Sequence, residues 1–200
     1  MSAFTWPSEP SRSADTDQIP AAVLVPLFLG AEANDPHVVL TRRRADLRRH
    51  AGEISFPGGR QDAGDTDLAE TALREAEEEI GLARKQVSLL GELPPTSTFA
   101  TNYVIHPYVG VIPAGLLWQL SHREVDAVLE LPVEALRSAR TRTRLERRGI
   151  SFETDAYVID ENLIWGATAR ILEHLLERLQ TTSSSKGRET LELRSAPVAG

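Results

Sequence analysis

The chain contains no cysteine. That absence excludes disulfides, thiolate metal sites and a cysteine nucleophile together. A bound metal must then be held by oxygen or imidazole, and five scattered histidines do not suggest a zinc cluster. Basic residues are in the minority: 22 Lys and Arg against 29 Asp and Glu leave a formal charge of −7. A global preference for nucleic acid or an anionic membrane is thereby disfavoured, although a local basic patch can still bind a phosphorylated small molecule. No apolar run approaches a membrane span. Met1 to Pro20 lacks the apolar core of a signal peptide, so the expectation is a loose arm on a cytoplasmic protein. There is no internal repeat. There is also no strand leading into a Gly-x-Gly-x-x-Gly turn, which disfavours a doubly wound dinucleotide fold.

What is present fits one domain: 200 residues with 41 % apolar content. Ala21–Leu29 predicts a strand with an irregularity at Pro26. His37–Arg42 predicts the second strand of a hairpin, and Ala51–Phe56 a short extended piece before the Pro57-Gly58-Gly59 turn. The clearest helix follows. Asp67 is its N-cap with Glu70 three residues on, Leu68, Ala72, Ala76 and Ile80 form the apolar stripe, and Gly81 stops it. Strands are expected over Val87–Leu93 and Tyr103–Ile112, the second carrying Pro107. Ser121 and Glu124 look like a cap pair opening a short helix, and another is expected over Pro132–Ser138. Arg140–Gly149 is basic and poorly patterned. Phe152 to Ile164 predicts one strand or two around Asp160–Asn162, and Ala167–Leu179 an amphipathic helix. The expected organisation is an arm over 1–20, a domain over 21–181 and a disordered tail over 182–200. Strands between two good helices point to a mixed sheet covered on both faces.

Two clusters carry chemistry. Glu75, Glu78 and Glu79, spaced by three and four, share one helix face. Their repulsion costs stability unless a cation sits there, and a hard divalent ion such as Mg2+ or Mn2+ answers it with oxygen ligands. Acidic runs on helices are usually solvated surface, and Glu77 reads as such a spare charge. The nearby glycine turn favours the metal reading, because exposed backbone approaches a metal or phosphate closely. Arg74 stands where it can orient a carboxylate. The second cluster is Arg42, Arg43, Arg44, Arg48, Arg49 and His50, a positive field beside the same turn. Arginine matches phosphate with a bidentate fork, yet at least half of these residues are expected merely to balance the acidic helix. The segment is short and has no interleaved aromatics, so a duplex-binding role is weak.

Gly59 followed by Arg74-Glu75-Ala76-Glu77-Glu78-Glu79-Ile80-Gly81-Leu82 resembles the Nudix box. Its back half matches at every fixed position. Its front half departs: the spacer from Gly59 to Arg74 is one residue longer than usual, and the early glutamate is out of register, leaving Asp65 and Glu70 as candidates to replace it. The stretch from Val39 through Leu47-Arg48-Arg49-His50-Ala51-Gly52-Glu53-Ile54-Ser55-Phe56-Pro57-Gly58-Gly59 is similar to the extra motif of coenzyme A pyrophosphatases, which leads into a lengthened box. Val39 stands there in place of leucine and Arg44 in place of a small residue. Thr101 to Gly110, Leu131-Pro132 and Ile164 to Ala169 look like later segments of that subgroup, so the resemblance spans Ala21 to Leu179.

The resemblance implies an α+β fold, a Nudix-type α/β/α sandwich with a mixed β-sheet, and a metal-dependent pyrophosphatase. It implies that Glu75, Glu78, Glu79 and the Gly59 carbonyl hold Mg2+ or Mn2+ and that Arg74 orients carboxylates. It also implies that water attacks one phosphorus of a nucleotide diphosphate. The general base stays open between Glu75 and Glu124. Arg42, Arg43, Arg48, Arg49 and His50 are the expected substrate contacts. Glu53 is expected to be a metal ligand, a salt-bridge partner or, equally, a hydrogen-bonded strand residue. His106 reads as structural or substrate-contacting, and Trp165 as core. Coenzyme A is the expected substrate. Another nucleoside diphosphate derivative, NADH or ADP-ribose, is the alternative enzyme reading. A non-catalytic nucleotide sensor is the alternative outside enzymes; the intact acidic cluster speaks against it. The expected partner is a small-molecule nucleotide, with no nucleic acid or membrane. The sequence shows no interface, and the resemblance leaves room for a homodimer.

Overall fold

The computed structural model describes residues 18–30, 35–46, 52–98, 102–147 and 149–194. The main sheet is built from β1 (Ile19–Leu29), β2 (Pro36–Arg43), β3 (Ile54–Ser55), β4 (Gly58–Arg60), β5 (Ser88–Glu92), β6 (Thr96–Ser97), β7 (Tyr103–Val111) and β8 (Val125–Pro132). Its backbone runs β3-β2-β1-β7-β5, with β4 on β1, β6 on β7 and β8 on β2. β1 pairs parallel with β7 and antiparallel with β2 and β4, so the sheet is mixed. A smaller antiparallel sheet follows, β9 (Arg140–Arg147), β10 (Ile150–Ile159) and β11 (Asn162–Trp165). The helices are α1 (Leu68–Ile80), α2 (Val133–Ala139) and α3 (Gly166–Arg194).

Strand alternation sorts the core into two layers. Ala22, Leu24 and Val39 meet Ala72, Ala76 and Ile80 of α1 on one face. Val25, Leu27, Val38 and Leu40 meet Leu136 of α2 and Ile171, Leu172 and Leu175 of α3 on the other. Tyr157 and Ile164 tie the small sheet into this second layer. The result is the helix–sheet–helix sandwich expected from the sequence. No helix among the described residues is long and apolar enough to cross a membrane.

The prolines inside β1 and β7 do not break them. Leu24 N–H donates to the Pro57 carbonyl at 2.9 Å, so the position two residues on, Pro26, has its missing N–H on the same edge. There β4 pairing has ended at Val23 and β2 pairing begins at Leu27. Pro107 likewise accepts from Leu93 N–H, between the ends of β5 and β6. A residue that removes a donor is tolerated where the ladder has a gap.

Other elements differ from expectation. Ser121–Glu124 is not a helix: the N–H groups of Glu124 and Val125 both fold back to the Ser121 carbonyl at 2.9 Å, and the chain leaves directly as β8. That β8 edge pairs with β2 over its length, which outweighs the local capping signal. The basic stretch after Ala139 is β9; Arg140, Arg142 and Arg144 alternate with Thr141, Thr143 and Leu145 at the strand period. α3 continues to Arg194, through the region expected to be a disordered tail. Its backbone extends a helix already nucleated by the packed turns before it, where each further residue adds a hydrogen bond at small cost. The expected arm, residues 1–17, lies outside the described residues.

Candidate metal and phosphate site

The site begins with a close approach of backbone to helix. β4 pairs with β1 through Gly58 opposite Val23 and Gly59 opposite Ala22. A Cβ on Gly58 would come within 2.3 Å of the Ala22 carbonyl oxygen, and one on Gly59 within 2.4 Å of Glu75 Oε1. Only glycine lets the turn reach the helix this closely. α1 is fixed at both ends. Asp67 Oδ1 accepts the Glu70 N–H at 2.8 Å, and Gly81 closes the helix at φ 71°. The Glu70 carboxylate reaches Thr66 rather than the cap residue, accepting from its N–H at 2.8 Å and its hydroxyl at 2.6 Å.

Glu75 and Glu79 point to the glycine turn. Glu79 is buried, with 7 % of its surface exposed. Burial pushes its carboxyl up to about 8, with the negative charge of Glu75 as the next cause; Arg43 opposes this, Glu124 adds to it, and the Gly58 N–H donates to the carboxylate. Burial also raises the Glu75 carboxyl, against the pull of Arg74, with Glu78 and Glu124 adding repulsion. Glu78 is more exposed and binds Arg74 Nη1 at 3.3 Å. Glu77 lies off this face, paired with Arg84 at 3.3 Å, as expected of a spare charge.

Arg74 is the hub of the cluster. Its Nε and Nη2 donate to the two oxygens of Asp65 at 2.9 and 3.0 Å, its Nη1 lies 3.0 Å from Glu75, and Nη2 also reaches the Arg60 carbonyl at 3.1 Å. Asp65 is further held by the Asp62 N–H and the Thr71 hydroxyl, each at 2.9 Å. The Arg74 guanidinium keeps its carboxyl well below the usual range. Of the two candidates for the displaced early acid, Asp65 is thus the one that anchors Arg74, while Glu70 binds Thr66 and Arg84.

Glu124, distant in sequence, is brought beside this face. Gln119 N–H donates to the Ile80 carbonyl at 3.0 Å and Ser121 N–H to the Glu79 carbonyl at 2.8 Å. This segment satisfies carbonyls that the end of α1 leaves open and carries the chain to Glu124. Glu124 then pairs with Arg43 at 3.3 Å, and its charge acts on both Glu75 and Glu79.

Two of the expected substrate-binding cations are already engaged by carboxylates. Arg42 pairs with Asp126 at 3.3 Å and Arg43 with Glu124, while Arg44 binds Asp46 at 2.6 Å. Arg48, Arg49 and His50 lie outside the described residues. His106 is engaged by Glu92, its Nδ1 2.6 Å from the carboxylate.

Among the described residues, no three carboxylate or imidazole groups stand converged as a closed cage. Arg74 lies between Glu75 and Glu78 instead. A closed cage is not what Mg2+ requires, since it keeps waters and is commonly held by one or two carboxylates plus substrate phosphates. The donor set is oxygen throughout, and two of its carboxyls are partly desolvated with unbalanced charge. These residues fit a hard divalent cation.

The site thus sets the acidic side chains of a helix against a glycine turn at the edge of an α/β/α sandwich. The chain belongs to the Nudix family: the NUDIX domain model matches residues 18–152. It is 38 % identical over 176 residues to the Nudix hydrolase NudL of Photorhabdus laumondii, covering 87 % of this chain and 91 % of that one. The NudL of Yersinia pestis is 38 % identical over 161 residues, covering 80 % and 79 %. Among solved structures, the Nudix domain of Shewanella oneidensis NrtR, crystallised with ADP ribose, aligns at a TM-score of 0.52 and 15 % identity, covering 81 % of this chain and 88 % of that one. The Nudix hydrolase RenU of M. smegmatis aligns at 0.54 and 13 %, covering 92 % and 90 %. The protein is a Nudix pyrophosphatase, of a family that generally uses divalent metals.

Proposed function

We propose that this enzyme cleaves the diphosphate of coenzyme A or a derivative, giving 3′,5′-ADP and a 4′-phosphopantetheine species, with Mg2+ or Mn2+ as cofactor. The observation that carries the reading is the path of the motif similar to coenzyme A pyrophosphatases. It runs along β2 through Arg42 and Arg43, returns as β3 beside Arg42, and ends on Gly58 and Gly59 against Glu75 and Glu79. The described part of the motif thus brings Arg43 and the Gly58-Gly59 turn to the acidic helix.

Glu75, Glu78, Glu79 and the Gly59 carbonyl are the groups that hold the metal. When bound, it lowers the pKa of water and neutralises charge on the diphosphate oxygens. The chain supplies the rest. Arg74, clamped by Asp65, keeps Glu75 and Glu78 aimed at the turn. Glu124 takes the proton of the attacking water as its oxygen bonds to one phosphorus. The bridging P–O bond breaks, and the other phosphate leaves with the bridging oxygen. Arg43 holds Glu124 at the edge of the acidic face and supplies a cation where the leaving charge develops.

The test is a panel of coenzyme A, 3′-dephospho-coenzyme A, NADH and ADP-ribose with each metal at fixed ionic strength. Coenzyme A is expected to show the highest kcat/KM. Its margin over the dephospho form should be about tenfold, as one charged hydrogen bond contributes roughly 1.5–3 kcal/mol and solvent screens part of it. Equal efficiency on the two forms removes the physical basis for a coenzyme A site. A clear preference for NADH or ADP-ribose moves the assignment to that substrate.

A further inference from the structure

Most arginines near the acidic helix are neutralised locally. Arg42, Arg43 and Arg44 pair with Asp126, Glu124 and Asp46, Arg74 with Asp65, and Arg84 with Glu70. Arg60 differs. It is exposed, and no carboxylate among the described residues pairs with it. Its Nε donates to the Tyr103 hydroxyl at 2.6 Å, and its guanidinium carbon stands 5.1 Å from the centre of that ring. The aromatic face attracts the cation, and the hydroxyl fixes its orientation. The donors on Nη1 and Nη2 stay open to a ligand.

The place of this cation follows from the sheet. β4 brings Gly59 against Glu75, and strand alternation sends the next side chain, Arg60, to the opposite face. Arg60 lies opposite Ala21 on β1, and Val23 and Ile105 of that same face pack into the α3 layer. The backbone of Arg60 nevertheless stays with the acidic cluster. Its carbonyl accepts from Arg74 Nη2 at 3.1 Å, and Arg74 Nη1 is 3.0 Å from Glu75. β4 is three residues long and, among the described residues, pairs with β1 alone. The free guanidinium and the metal face thus lie on the two sides of one short strand.

We infer that Arg60, held by Tyr103, binds a phosphate monoester that neighbours the diphosphate on the substrate. The inference rests on the coenzyme A reading and deepens it. In coenzyme A the diphosphate and the 3′-phosphate are carried by one ribose. With the diphosphate on the metal face, the second phosphate lies beside it and needs a cation of its own. Arg42 and Arg43 already face carboxylates, whereas Arg60 does not. A guanidinium meets two phosphate oxygens with a bidentate fork, and one already held by a neighbour loses less freedom on binding. NADH and ADP-ribose carry a hydroxyl at that ribose position, which gains little from a cation. Arg60 is then the residue that distinguishes coenzyme A from its dephospho form.

The experiment titrates the full chain calorimetrically with 3′,5′-ADP and with 5′-AMP, in Mg2+ at fixed ionic strength, for the wild type and Arg60→Ala. The wild type is expected to bind 3′,5′-ADP about tenfold more tightly, the contribution of one charged hydrogen bond screened by solvent. In Arg60→Ala the two nucleotides should bind within about twofold of each other. In turnover the ratio of kcat/KM on coenzyme A to that on 3′-dephospho-coenzyme A should fall in the same way, through KM for coenzyme A. Equal binding of the two nucleotides by the wild type overturns the inference and needs no variant. Equal weakening of both nucleotides in Arg60→Ala overturns it too, as a merely structural effect. A preference for coenzyme A that survives in Arg60→Ala overturns the role of Arg60 and leaves the coenzyme A reading standing. Selectivity for 3′,5′-ADP that Arg60→Ala removes, in an enzyme that does not turn over coenzyme A, supports the contact and sinks that reading.

Discussion

Changing Glu79 to Gln in the metal-free protein should stabilise the fold even as it removes hydrolysis. The carboxyl of Glu79 moves from an ordinary 4.5 to about 8 in the folded chain, chiefly by burial. The sign follows from linkage. Between those values the folded protein holds a proton that the unfolded chain has released, so stability falls as pH rises through the window. Each pH unit contributes about 1.4 kcal/mol, which makes the penalty about 3 kcal/mol at pH 7. Relaxation of the site and entry of water reduce this to about 1–3 kcal/mol. Glutamine does not ionise, and its carbonyl oxygen can still accept the Gly58 N–H. For a domain of this size the gain corresponds to about 2–10 °C in Tm. Differential scanning calorimetry in chelator at pH 5, 7 and 8 measures it. The difference should be small at pH 5 and grow with pH, while turnover falls by orders of magnitude. A stability difference that does not vary with pH, or a loss of stability at pH 8, would refute the reasoning.

Chelation should abolish hydrolysis and added Mg2+ or Mn2+ restore it; full activity in a verified metal-free preparation is the contrary outcome. Glu78→Gln should lower kcat by orders of magnitude, whereas Glu77→Gln should change it by less than about twofold, since Glu77 contacts only the exposed Arg84. Comparable losses at both positions would show that the metal face is wrongly phased. Asp65→Asn should lower both Tm and kcat, because Arg74 loses its bidentate partner; unchanged kinetics would mean that Arg74 is aimed without it.

α1 is legible in the sequence, save that Glu70 turns to Thr66 and not to the cap residue. Its cap, stripe and stop are local features, and the spacing of Glu75, Glu78 and Glu79 fixes their common face whatever surrounds the helix. The hairpin of β1 and β2 was legible for the same reason. Asp65 could only be narrowed to one of two candidates, since its partner Arg74 is nine residues away and meets it through a fold in the loop. Glu124 was named by resemblance; what delivers it is the pair of hydrogen bonds onto the end of α1, which no local pattern displays. The capping signal at Ser121 misled because β8 has a whole strand to pair with. β9 was hidden by its arginines, which obscure a period-two pattern when apolar residues alone are followed. Asn162 read as a turn residue, because burial of a polar group is a tertiary fact.

The gap that Pro26 leaves on the edge of β1 has a thermodynamic consequence. It divides that edge between β2 and β4, so the chain after β3 must cross from one partner to the other and join the ladder again at Gly58. The turn that meets the acidic helix is thus fixed by sheet hydrogen bonds rather than left as a free loop. Its conformational freedom is lost when the protein folds, before any nucleotide arrives. Binding then has less disorder to remove at the reacting centre, and more of the interaction free energy is left to act on the diphosphate.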